Sequence, residues 1–143
     1  MRVQTDTATI LLYDLACLKH RLSDACDWWS IPRKEIEEIN SGNVIFIGTG
    51  CDGVFEIEIT EDTPPEKAIS FTIKNKSGKF FLGGGECVSG EDLEPDEDDG
   101  IFLDYPPGNY QVTAWEGEGK CILNISLTSK QAVNSYASSP KIP

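Results

Sequence analysis

Two stretches of this chain place apolar side chains at every second position, and a period of two fits a sheet better than a helix. In VFEIEIT, Phe55, Ile57 and Ile59 fall on one side while Glu56 and Glu58 fall on the other. In KCILNISLT, Cys121, Leu123, Ile125 and Leu127 share one side. Successive side chains of a strand point to opposite faces, so both segments read as strands with one buried and one wet face.

Other short segments carry the same β-forming composition between turn residues: residues 7–13, NVIFIG, AISFTIKN, KFFLGG, IFLDY and YQVTAWE. The Asp-Gly of CDG predicts a tight hairpin, because that dipeptide accepts positive φ angles. KSG and PPGN predict further turns. Asp14 is placed to cap a short helix over residues 15–21, with Leu15, Leu18 and Leu22 on one face. Residues 32–39 predict a second short helix, with Pro32 at its start and Gly42 beyond its end. No β-α alternation calls for a parallel sheet. The expected class is mainly β: an antiparallel β-sandwich or open barrel with one or two short N-terminal helices. A chain of 143 residues fits one domain with its own core. The expected division is a single β-rich domain over 1–128 and a loosely held polar tail over 129–143.

Charge narrows the function more than composition does. Of 24 acidic residues, eleven lie between Lys79 and Lys120, a window without a single Lys or Arg. The remainder, 13 acids against 12 bases, is close to neutral, so the formal net charge of −12 belongs to one region. Its centre is GEDLEPDEDDGIF, with Glu91, Asp92, Glu94, Asp96, Glu97, Asp98 and Asp99 inside nine positions. Such a field repels nucleic acid and speeds the approach of a cationic protein. The N-terminal apolar run is short and broken by Asp14, which predicts neither a signal peptide nor a membrane span, and hence a cytoplasmic protein. Five scattered cysteines with no C-x-x-C pair predict reduced, mostly buried thiols.

No residue pattern calls for catalysis or a cofactor. Aligning the acidic run on an EF-hand's central glycine puts Pro95 at the first ligand position and Pro106 at the last, so that loop is excluded. Irregular oxygen ligation of calcium by Asp96, Asp98 and Asp99 stays open as an alternative. His20, the single histidine, has no nucleophile motif beside it and reads as a satisfied or solvated residue, a pairing with Cys17 three residues away being the sharper option. FLGGGEC lacks the Lys-Ser/Thr of a phosphate loop and reads as a strand end or bulge. A small hydrolase using paired carboxylates is a second alternative that has no motif of its own. The adjacent Trp28 and Trp29 offer one core residue and one partly exposed anchor for a partner.

TDTATILLYDLACLKHRLSDACDWW, with GCDGVFEIEIT and GGGECVSGE, resembles a family of small, functionally uncharacterised bacterial domains encoded among toxin and immunity genes. IFLDYPPGNYQVTAW is similar to the C-terminal strand pair of the competence protein J nuclease inhibitors, at Leu103, Asp104, Pro106, Pro107, Gly108, Tyr110 and Trp115. The resemblance implies a β-sandwich that neutralises a toxin and supplies no catalytic residues. With the charge, it gives the expected function: a non-enzymatic immunity or inhibitor protein. It would bind a cytoplasm-acting effector such as a nuclease through the acidic run and one of the two tryptophans. No cofactor, metal, nucleic acid or membrane enters this reading.

Overall fold

The computed structural model describes residues 1–21, 28–85 and 100–142. Nine strands are found among them: β1 (Arg2–Thr5), β2 (Thr9–Tyr13), β3 (Val44–Gly48), β4 (Gly53–Ile59), β5 (Ile69–Asn75), β6 (Lys79–Gly84), β7 (Gly100–Asp104), β8 (Gly108–Gly117) and β9 (Lys120–Leu127). They form a five-stranded sheet, β1-β4-β9-β8-β5, and a four-stranded sheet, β3-β2-β6-β7. The mainly β expectation holds. The N-terminal helical content is three short 3₁₀ turns, Leu15–Cys17, Lys19–Arg21 and Trp28–Ser30, and one α-helix, α1 (Pro32–Asn40).

Every second connection between described strands changes sheet. Residues 49–52, which with Gly53 hold the CDG expected to form a hairpin, carry the chain from β3 in one sheet to β4 in the other. KSG and the Pro-Pro-Gly corner do the same for β5–β6 and β7–β8. Tyr110 Oη donates to the Pro106 carbonyl at 2.5 Å and ties that last corner down. The tight hairpin lies instead between β8 and β9. There Glu118 and Gly119 both take positive φ (54° and 76°), as a two-residue loop that follows strand twist requires. The alternating strand β4 pairs in parallel with β9 (Ile57 beside Cys121, Ile59 beside Leu123), the one parallel pair among the described strands.

The core lies between the sheets. Ile10, Leu12, Ile45, Ile47, Phe80 and Leu82 come from one side, and Val3, Ile57, Phe71, Ile73, Tyr110, Val112 and Leu123 from the other, all essentially inaccessible. The rings of Phe80 and Tyr110 meet edge to face across the gap, centroids 5.6 Å apart. Each such side chain contributes about 1.5–3 kcal/mol by leaving water.

The opposite face of the four-stranded sheet is apolar as well, with Leu11, Tyr13, Val44, Phe46 and Phe81 all buried. This is why ILLY and VIFI read as unbroken apolar runs: both faces of these strands are covered. The segment between β2 and β3 supplies the cover. The buried Trp28 sets its ring edge to face with Phe46 at 6.1 Å, and Leu18 and Ile39 are buried with it.

One buried carboxylate joins this layer to both sheets. Asp14, 2% exposed at the end of β2, accepts from Ala16 N at 3.0 Å and so caps the first 3₁₀ turn. It also accepts from Lys76 N (2.6 Å), Ser77 N (2.8 Å) and Ser77 Oγ (2.7 Å) in the β5–β6 crossing.

The polar tail is fastened rather than loose. Asn134 Nδ2 donates to Ile39 O (2.7 Å) and Thr72 O (2.9 Å), while its Oδ1 accepts from Thr72 N (2.8 Å). Asn40 exchanges two hydrogen bonds with Tyr136, and Lys141 bridges Gly48 of edge strand β3. Residues 129–142 thereby run along β5 and β3, covering the edges that sheets leave open. Gly42 permits the approach: its φ is +71°, and a Cβ there would stand 2.3 Å from Ala132 O. Polar composition concealed this, because amide side chains can replace strand backbone as hydrogen-bond partners. No helix of the described residues is long and apolar enough to cross a membrane.

Two outcomes follow for stability. Replacing Asp14 by Ala strands three backbone donors and a hydroxyl, and is expected to cost about 3 kcal/mol, read as a lower urea midpoint. Asn134→Ala is expected to cost about 2 kcal/mol by orphaning both backbone groups of Thr72; a midpoint within error of the parent would contradict the fastened tail.

Candidate functional site

The helical segment covers the β2–β3 half of the outer face and leaves a cleft over the β6–β7 half. It is about 330 Å³, within the usual size of a ligand pocket. Its walls both hang on Asp14: Leu15, Ala16 and Lys19 follow it in the chain, and Ser77 is hydrogen-bonded to it. The floor is aromatic. Phe81 stands edge-on to Tyr13 (5.9 Å) and to Phe102 (5.3 Å), its partner across the β6–β7 pair. Gly100 leaves room for the Phe81 ring, because a Cβ there would come within 2.6 Å of Phe81 Cζ and 2.4 Å of Leu82 O. Phe102 remains 39% exposed and gives the cleft an accessible aromatic surface.

Two ammonium groups border the cleft. Lys79 lies opposite Asp104 in the strand register, yet its Nζ sits 6.0 Å from the centre of the Phe102 ring, at the outer reach of a cation–π contact. Neither Lys79 nor Lys19 has an ion-pair partner among the described residues. Asp14 lies at the cleft wall, but it already accepts four hydrogen bonds from its own chain.

A second cluster gathers at His20. Its Nε2 lies 2.6 Å from Glu38 Oε1, which also accepts from Arg21 Nε at 2.8 Å; Glu38 Oε2 accepts from Asn43 Nδ2 at 2.7 Å. Arg21 stacks over Trp28, 5.3 Å from the ring centre. Burial pushes the Glu38 carboxyl up, but the hydrogen bonds from Asn43, His20 and Arg21 outweigh it and hold the group below the ordinary glutamate value. With its acceptors occupied, Glu38 fastens the 3₁₀ turns to α1, and His20 is satisfied as the sequence suggested. The Cys17–His20 pairing does not form a dyad: Cys17 Sγ is directed at the Lys74 carbonyl (3.7 Å), away from the His20–Glu38 contact.

The sequence-predicted contact residues fare unequally. Glu91, Asp92, Glu94, Asp96, Glu97, Asp98 and Asp99 lie outside the described residues, as do Cys26 and Cys87. Trp28 is 1% exposed and belongs to the packing, so it presents no surface for a partner. Trp29 keeps partial exposure while packing against the core, with its Nε1 buried and lacking a hydrogen-bond partner. Cys17, Cys51 and Cys121 are free thiols, and burial pushes Cys121 up to about 12. No three His, Cys, Asp or Glu side chains of the described residues converge to hold a metal ion. The cleft escaped sequence reading because Tyr13, Phe81 and Phe102 sit on three strands and each looks like an ordinary strand residue.

The chain belongs to a family of unknown function (DUF6386), whose profile matches residues 1–142. Among solved structures it is similar to the crocagin biosynthetic gene J product, with a TM-score of 0.57 and 14% identity over 91% of this chain and 94% of that one. It is also similar to ComJ of Bacillus subtilis, an inhibitor of the DNA-degrading activity of NucA, with a TM-score of 0.45 and 13% identity over 87% and 90%. The first likeness shows a shared fold; the second is too loose to add to it. No curated protein matches the chain in sequence.

The lowered Glu38 value sets a pH dependence. Its contribution to stability is present in full above the ordinary value of about 4.5 and is lost as pH falls through the lower folded value. Glu38→Gln should therefore unfold at a lower temperature than the parent near neutrality, with the gap narrowing below about pH 4.5. A gap that is constant across that range would contradict the assigned role.

Proposed function

We propose that this protein is a non-enzymatic inhibitor of the immunity type, which binds a cognate toxin in the bacterial cytoplasm through its acidic run. A nuclease effector, whose active site must hold a polyanion, is the partner this charge fits best. The observation that carries the reading is the concentration of acids between two paired strands. Gly83 of β6 faces Gly100 of β7 in the sheet register, so the stretch holding seven acids in nine positions leaves and re-enters the sheet at the same end. A folded platform at both ends of such a stretch limits the chain entropy lost when a partner engages it. The sequence resemblance to domains encoded among toxin and immunity genes points the same way.

The role of the run is electrostatic steering: attraction between opposite charges raises the association rate and falls away with salt. Trp29 supplies partly exposed apolar surface elsewhere on the same molecule.

The test is co-purification of the full chain with the toxin encoded beside it, followed by association kinetics. Replacing Asp96, Glu97, Asp98 and Asp99 together with Asn or Gln should slow association about tenfold or more at low salt and flatten its salt dependence. Unchanged rate and affinity would rule out the acidic run as the contact.

A further inference from the structure

The aromatic cleft has the opposite electrostatic character to the acidic run. In a chain of net charge −12, two ammonium groups without ion-pair partners among the described residues border one exposed aromatic surface. Lys79 holds its charge over Phe102 although Asp104 stands across from it in the register. Asp14, the carboxylate in the wall, is 2% exposed and already accepts four hydrogen bonds from its own chain. An anion entering the cleft would therefore find donors at its border and an apolar floor beneath them.

The cleft also borders a sheet edge. Among the described strands β7 pairs only with β6, so its other side has no strand partner. An extended polypeptide can lie along such an edge and place every second side chain over the neighbouring surface. Phe102 is the β7 residue that faces the cleft, and Lys79 lies over its ring.

We propose that this cleft docks an extended acidic segment of a partner protein, seating one aromatic side chain against the exposed ring of Phe102 with flanking carboxylates at Lys19 and Lys79. The aromatic group supplies most of the affinity, because burying a ring against rings is worth more than a solvated ion pair. The lysines select sign. The inference does not rest on the inhibitor reading.

The test uses the full chain, isotopically labelled for amide chemical-shift mapping, and the peptide acetyl-GDDFDDG-amide as probe. Shifts are expected at Ser77, Lys79, Phe81 and Phe102, with binding that weakens as salt rises. Phe102→Ser should lower affinity about tenfold, and Lys79→Gln about threefold. Both positions are exposed enough to leave the thermal midpoint unchanged; should Phe102→Ser lower it, the Lys79→Gln result decides. Absence of shifts, shifts confined to another face, or equal binding of acetyl-GKKFKKG-amide would overturn the proposal. So would N-acetylphenylalanine binding as tightly as the acidic peptide, which would mark a small-carboxylate site instead of a protein-docking one.

Discussion

The Asp14 carboxylate is the point at which three parts of the molecule are held together. It ends β2 in the four-stranded sheet, caps the first 3₁₀ turn of the covering layer, and takes three hydrogen bonds from the crossing that leaves the five-stranded sheet. A buried carboxylate is costly unless its lone pairs are filled, and here four donors fill them. The geometry is therefore strongly specified: a shift of the crossing or of the 3₁₀ turn would leave a desolvated charge. The cleft inherits this rigidity, since one wall follows Asp14 in the chain and the other is bonded to it.

Around that point the two sheets divide their chemistry. The five-stranded sheet alternates cleanly, with Glu56 and Glu58 at its wet face. The four-stranded sheet is buried on both faces over β2 and β3, and opens only where the helical layer stops. The opening exposes aromatic surface bordered by lysines, while the acidic run is attached at the Gly83–Gly100 end of the same β6–β7 pair.

The strands were legible in the sequence because period-two alternation and Gly, Pro and Asp turns are local signals. Sheet membership was not. CDG and PPGN have the chemistry of hairpin turns, but the same positive-φ glycines and prolines also serve a chain that crosses between sheets. The short strand RVQT lacked enough residues to show alternation, and it gains its place by pairing with β4. Asp14 stands where a cap belongs and is one; its bonds to Lys76 and Ser77 span more than sixty residues and leave no local trace. The two tryptophans showed the same limit. Adjacent aromatics announce burial, but only the contact with Phe46 decides that Trp28 is the core residue of the pair.

Native-state hydrogen exchange at the Lys76 and Ser77 amides tests the claim on which this account rests. Both belong to a turn-bearing crossing that would ordinarily open locally and exchange fast. With their protons held by Asp14, they should exchange only through global unfolding, as slowly as the amides of Ile10 and Leu12 in the sheet centre. Exchange far faster than those strand amides, at the rate of an unconstrained turn, would show that Asp14 does not hold the sheets and the cleft together.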